Sequence, residues 1–316
     1  MNLTLNQYTK EISSLKKERD AIILAHNYQL PEVQDVADFI GDSLALSRKA
    51  EKTNAKNIIF CGVHFMAETA SIICPDKDVF IPDVNAGCSL ASSINSSELM
   101  NWKKEHPNAI VVSYVNTSAE VKALSDYCCT SSNAVKVVNS ISPDKEILFL
   151  PDMFLGSYVS EITKRKNIFI WPGECHVHAG IRAEDINKMM KEYRNAEFLV
   201  HPECSCTSST MYHMSKGDLI NEGHILSTEG MMERAKNSSK NDFIVATETG
   251  ILYMMQKENP TKNFIPIRQD AVCQYMKKIT IDKVYNSLLN NVYQVRVPKS
   301  TADKARYAIE RMLSIG

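Results

Sequence analysis

Ile22-Ile23-Leu24-Ala25-His26-Asn27-Tyr28 is a short apolar run that closes on two polar side chains at i and i+2, and the chain writes it twice more. The later copies are Ile110-Val111-Val112-Ser113-Tyr114-Val115-Asn116 and Phe198-Leu199-Val200-His201-Pro202-Glu203. Each reads as a buried strand. Strand alternation puts each pair, His26 with Tyr28, Tyr114 with Asn116 and His201 with Glu203, on a single face. Ser43 lies 17 positions after His26 and Ser131 lies 17 after Tyr114, each just ahead of a helical stretch (44–52 and 133–140), so both read as helix N-caps. Thr228, ahead of Glu229 to Arg234, takes the third place but lies 27 positions after His201, which implies an insertion within 204–223.

Two further apolar runs follow in each copy. The middle ones are 58–60, 147–150 and 243–246; the last ones are 79–82, 168–172 and 264–266, and each last run leads to a cysteine. Those cysteines, Cys88, Cys175 and Cys273, lie 45, 44 and 45 positions after Ser43, Ser131 and Thr228. Apolar runs alternating with helical stretches predict an α/β protein with parallel sheets. The reading is three similar three-layer α/β/α units, at 1–90, 91–178 and 179–297, with a C-terminal helix at 298–316. Ligands of open parallel sheets bind beyond the carboxyl ends of the strands. Three units around a pseudo-three-fold axis would therefore bring one cysteine each, with the polar pairs and hydroxyls, to a shared central site.

Composition limits what that site serves. The 316 residues carry 36 Lys plus Arg against 37 Asp plus Glu, a net charge of -1, so no basic excess is available to hold a nucleic-acid backbone. No apolar run reaches the roughly eighteen residues that span a bilayer, and the first twenty positions are polar and charged rather than signal-like. The expected location is the cytosol. Nine cysteines without the even, dense spacing of a disulfide scaffold point, in a reducing compartment, to metal or catalysis for some and burial for the rest.

Three converging thiolates could hold zinc, an iron-sulfur cluster, or nothing. Structural zinc favours four ligands with Cys-x-x-Cys pairs, which are absent. A cluster on three thiolates leaves one iron open as a Lewis acid. Cys128, Cys129, Cys204 and Cys206 fall outside the three-fold pattern and read as structural or incidental, and Cys61 and Cys74 as core. His106, His213 and His224 read as structural. His64, His176 and His178 stay ambiguous, the last two flanking Cys175. Glu203 is the one carboxylate among the six paired positions, and a glutamate among hydroxyls, imidazoles and a metal is expected to shift toward neutrality and move protons.

Several segments together resemble the quinolinate synthase family over nearly the whole chain. They are Ala25-His26-Asn27-Tyr28-Gln29, Gly41-Asp42-Ser43-Leu44, Gly62-Val63-His64-Phe65-Met66-Ala67-Glu68, Pro151-Asp152, Trp171-Pro172-Gly173-Glu174-Cys175-His176-Val177-His178, His201-Pro202-Glu203-Cys204 and Ala246-Thr247-Glu248-Thr249-Gly250. The resemblance implies a cytosolic enzyme of NAD biosynthesis, built of three α/β/α domains. Such an enzyme condenses iminoaspartate with dihydroxyacetone phosphate to quinolinate, releasing phosphate and two waters. It further implies a 4Fe-4S cluster on Cys88, Cys175 and Cys273 with one open iron, Tyr28 and Glu203 as acid-base groups, and a substrate shell of His26, Ser43, Tyr114, Asn116, Ser131, His201 and Thr228. An aspartate oxidase or dehydrogenase would supply the imine. The Cys-x-x-Cys-x-x-Cys run that some members carry near the last ligand is absent here, where Cys273 stands alone. Two other readings share the three thiols: a different cluster-dependent hydro-lyase, and a non-enzymatic metal-holding protein that binds a dicarboxylate.

Overall fold

The computed structural model describes residues 3–216 and 222–315. Among the described residues, twelve short strands form three four-stranded sheets, each all parallel. The first sheet holds β1 (Ala21–His26), β2 (Phe39–Gly41), β3 (Asn57–Cys61) and β4 (Asp78–Phe80). The second holds β5 (Ile110–Tyr114), β6 (Tyr127–Cys129), β7 (Ile147–Leu150) and β8 (Ile168–Ile170). The third holds β9 (Glu197–Val200), β10 (Gly223–Ile225), β11 (Asp242–Ala246) and β12 (Asn263–Pro266).

All three sheets share one spatial order: β2-β1-β3-β4, β6-β5-β7-β8 and β10-β9-β11-β12. The internal repeat is therefore a repeat of topology, and the α/β reading with three similar units holds. The central strands are the apolar runs of the sequence, buried along nearly their whole length as parallel strands between helical layers must be.

Each sheet has one strand more than the sequence predicts. The additions β2, β6 and β10 are three residues long, too short to show alternation. They are placed by what precedes them. The Asp38 carboxylate accepts from Ile23 N at 2.8 Å and the Asp126 carboxylate from Val111 N at 2.8 Å. In the third sheet the Glu222 backbone carbonyl accepts from Phe198 N at 2.8 Å.

The predicted N-caps need correction. Helix Ser43–Lys52 is capped by Asp42, which accepts from Ala45 N at 2.8 Å, and helix Thr228–Asn237 by Ser227, which accepts from Gly230 N at 3.3 Å. Ser43 and Thr228 are thus the first helical residues. Ser131 lies in the turn before helix Ala134–Asn139, whose cap position is Asn133. One position in chain separates a residue that holds the helix from one whose hydroxyl is left for something else.

The chain then returns to its beginning. Helix Ile281–Asn290 packs on helix Leu5–Glu18, and residues 293–295 pair antiparallel with the β4 edge through Ile81 N to Tyr293 O (2.9 Å) and Val295 N to Val79 O (2.8 Å). The last helix, Lys299–Ser314, lies against β6 and helix His64–Ile73. It is held by Asn133 Nδ2 to Met312 O (2.9 Å), Arg306 to Ile72 O and Arg311 to Asp126 O. No helix among the described residues is long and apolar enough to cross a membrane.

Candidate active site and metal centre

The polar pairs do not sit on strand faces. His26 and Tyr114 are the last residues of β1 and β5, while Tyr28, Asn116, His201 and Glu203 lie just past the strand ends, where alternation no longer applies. Convergence comes from the loops. A single cavity with about 690 Å³ of open space, counting its mouth, is lined by His26, Tyr28, Ser43, Tyr114, Asn116, Ser131, His201, Glu203 and Thr228, together with Cys88, Cys175 and Cys273. Every predicted site residue is in that lining.

Glu203 is 3 % exposed and stands at the hub. Its Oε2 lies 3.2 Å from His178 Nδ1, and its Oε1 accepts the Tyr114 hydroxyl proton in a short hydrogen bond. His178 Nε2 meets Thr247 Oγ1 at 2.8 Å, and Thr247 Oγ1 meets the Tyr28 hydroxyl at 2.5 Å. Tyr28, Thr247, His178, Glu203 and Tyr114 therefore form one continuous chain of polar contacts. His178 was ambiguous in sequence and Thr247 was not singled out. Their signal is their place in the two family-resembling segments around Cys175 and after β11, which spacing alone does not weigh.

The charges in this network separate. Burial pushes Glu203 up, but the His178 hydrogen bond and the neighbouring imidazoles outweigh it and hold the carboxyl down at about 2. This reverses the shift toward neutrality expected from sequence, because the glutamate's neighbours are donors rather than a bare apolar wall. Burial, then Glu203, drives the Tyr28 and Tyr114 phenols well above the ordinary tyrosine value. Burial brings His26 and His201 down to about 3 and keeps both imidazoles neutral. Asn116 Oδ1 is buried without a partner. The site thus offers one ionised acceptor, two protonated phenols and an unfilled amide oxygen.

The three cysteines are free thiols in equivalent surroundings. Each sulfur receives backbone N–H groups from residues two and three positions on: Leu90 and Ala91 at Cys88, Val177 and His178 at Cys175, Tyr275 and Met276 at Cys273. Burial pushes all three thiols up, Cys88 to about 12, while these N–H groups pull the other way. Amide dipoles aimed at sulfur favour the thiolate, and a bound metal would supply the rest of the deprotonation. The donor set fits a metal centre. Among the described residues, Cys175, His178 and Glu203 also bring ligand atoms within 4.8 Å of one another. Glu197, Glu222 and His224 do the same, but there Arg234 already pairs with both carboxylates.

The remaining cysteines stay outside the cavity lining. Cys128 and Cys129 are buried in β6, Cys61 ends β3, Cys74 is buried after helix His64–Ile73, and Cys204 and Cys206 are joined in a disulfide. His176 lines the cavity mouth, 2.7 Å from Ser89 Oγ. His64 and His106 sit beside Glu68 and Glu146. The His213 side chain lies outside the described residues.

A family profile described as quinolinate synthetase A protein matches residues 10–314, nearly the length of the chain. The chain belongs to the quinolinate synthetase A family. Among curated proteins it is 54% identical over 307 residues to a quinolinate synthase of Thermus thermophilus, covering 97% of both chains. It is also 54% identical over 303 residues to a quinolinate synthase of Pyrobaculum aerophilum, covering 96% of this chain and 98% of that one. A quinolinate synthase of Mycolicibacterium paratuberculosis is 51% identical over 311 residues, covering 98% of this chain and 89% of that one. For this member of the quinolinate synthetase A family, one cavity thus gathers three thiols and a buried network of polar contacts at three sheet ends.

Proposed function

We propose that this chain is a quinolinate synthase that condenses iminoaspartate with dihydroxyacetone phosphate, releasing phosphate and two waters. The observation that carries the reading is the meeting of Cys88, Cys175 and Cys273 with Glu203, Tyr28 and Tyr114 in one cavity. Those three cysteines would hold a 4Fe-4S cluster, and when bound it supplies an open iron that acts as a Lewis acid toward a hydroxyl, a carboxylate or an imine nitrogen.

The protein groups divide the proton work by their environment. Glu203, held ionised, accepts a proton from carbon as the new ring is formed and dehydrated. Tyr28 and Tyr114, held protonated, donate to departing hydroxyls. His178 lies between Glu203 and Thr247, so a proton taken at one end of the network can be passed toward Tyr28. Neutral His26 and His201, with Ser43, Asn116, Ser131 and Thr228, orient the substrate through hydrogen bonds. No lysine or arginine lines the cavity among the described residues. The carboxylates of the substrate would then face the N-termini of helices Ser43–Lys52 and Thr228–Asn237, whose positive dipole ends suit small anions.

In this reading the units run 1–90, 91–178 and 179–297 with the C-terminal helix at 298–316, one cysteine to each unit, and the enzyme works in the cytoplasm in NAD biosynthesis. Iminoaspartate hydrolyses readily, so an aspartate oxidase or dehydrogenase must supply it close by. The test is direct: anaerobic protein reconstituted with iron and sulfide, given dihydroxyacetone phosphate and iminoaspartate made in place from aspartate, forms quinolinate. Brown, iron-loaded protein that forms none would overturn the assignment.

A further inference from the structure

In the cavity wall itself, a second buried group of charges, centred on Glu248, touches two parts of the site at once. Glu248 is fully buried, two positions past the end of β11. Its Oε1 accepts from the Cys273 backbone N–H at 3.0 Å and pairs with Lys277 Nζ at 2.9 Å, while Oε2 accepts from Gly250 N at 2.6 Å. Lys277 Nζ also donates, in a short hydrogen bond, to the backbone carbonyl of Tyr28. Lys277 itself belongs to the turn that follows the cysteine, with its N–H on Cys273 O at 3.2 Å. The group is tight: a Cβ on Gly250 would stand 2.7 Å from both Lys277 Nζ and Tyr28 O.

The second unit places a buried acid at the same point without the clamp. Asp152 is fully buried two positions past the end of β7, but its Oδ1 accepts from Leu155 N at 2.7 Å and its Oδ2 has no hydrogen-bond partner. At the matching place past β3 the first unit has Val63, so Cys88 has no carboxylate from that position.

We propose that Glu248 and Lys277 are positioning residues that fix Cys273 and Tyr28 relative to each other, so that the third cysteine and the phenol of the first unit are set by one buried ion pair. The inference rests on the cluster reading above. A carboxylate bonded to the amide of a ligating cysteine restricts the loop that aims the sulfur, and the ammonium ties that loop to the turn carrying Tyr28. Removing a partner leaves a buried charge unpaired, so the geometry is held by a strong penalty for separation.

Full-length wild type, Glu248→Gln, Lys277→Met and Lys257→Met are to be reconstituted anaerobically, and iron release to a chelator followed by loss of visible absorbance, with the reduced-cluster EPR signal recorded. Lys257→Met is the control, because the Lys257–Asp35 pair (2.6 Å) also joins the third unit to the first but is exposed and does not reach Cys273. Glu248→Gln and Lys277→Met are expected to release iron about 10- to 100-fold faster with an altered EPR signal, and Lys257→Met to match wild type. Wild-type release in both clamp variants overturns the inference, as does equal acceleration in Lys257→Met, which would make the effect one of general docking between units. If Glu248→Gln does not fold, Lys277→Met decides alone, since its head group is partly exposed. Wild type that takes up no iron-sulfur group would instead remove the cluster reading itself.

Discussion

Glu203 and His178 stand 3.2 Å apart, carboxylate oxygen to imidazole nitrogen, with both side chains buried. In the proposed reaction this buried, ionised carboxylate is the proton acceptor. Glu203→Gln keeps the shape and loses that capacity. Quinolinate formation is expected to fall by about 10²- to 10⁴-fold with iron content unchanged, read by product assay and iron analysis on the same preparation. Near-normal turnover would move the proton transfer to another group.

The three equivalent cysteines and the six others should separate cleanly. Cys88→Ala, Cys175→Ala and Cys273→Ala are each expected to lose the visible absorbance and the activity, while Cys128→Ala and Cys206→Ala keep both. A full iron complement in any of the first three would refute the ligand set.

Correction of the caps yields a contrast between neighbours. Ser227→Ala removes the hydrogen bond to Gly230 N and should cost about 1 kcal/mol of stability. Ser43→Ala removes no cap, since Asp42 holds that helix, and should lower turnover while leaving the denaturation midpoint near wild type. Equal stability losses in the two variants would show that Ser43 supports the helix after all.

Acid sensitivity follows from His26 and His201. Each is held at about 3 by burial, against an ordinary value near 6.5. Below about pH 6.5 the unfolded chain takes up protons that the native imidazoles refuse, so stability falls as pH is lowered toward 3 and these two residues contribute no slope above about pH 6.5. The limit is about 1.4 kcal/mol per pH unit for each histidine. Denaturant midpoints between about pH 6.5 and about pH 5 should decline less steeply in His26→Asn and in His201→Asn than in wild type; an unchanged slope would mean that these imidazoles are protonated in the native protein.

The central strands were legible because burial on both faces writes them as unbroken Ile, Val, Leu and Phe, and the cysteines because equal spacing survives in three copies. The edge strands β2, β6 and β10 were not, since three residues cannot display a period; Asp38 and Asp126, whose carboxylates tie the first two of them to the neighbouring strand, are the marks a reader could have used. Ser43 and Thr228 were placed within one residue of the true caps, and that one residue decides whether a hydroxyl serves the helix or the cavity. His178, Thr247, Glu248 and Lys277 escaped for a different reason. They break the three-fold pattern, and their importance comes from contacts between units that are far apart in chain.

The helix Lys299–Ser314 and the segment 293–295 close the fold on itself. The edge of the first sheet and its seam with the second unit are covered by residues that lie beyond the third unit in chain. A chain cut before Tyr293 would keep all three cysteines but lack these ties. The strap therefore makes the first and last parts of this sequence one mechanical body, so that loosening either end frees an edge of the sheet that also carries His26.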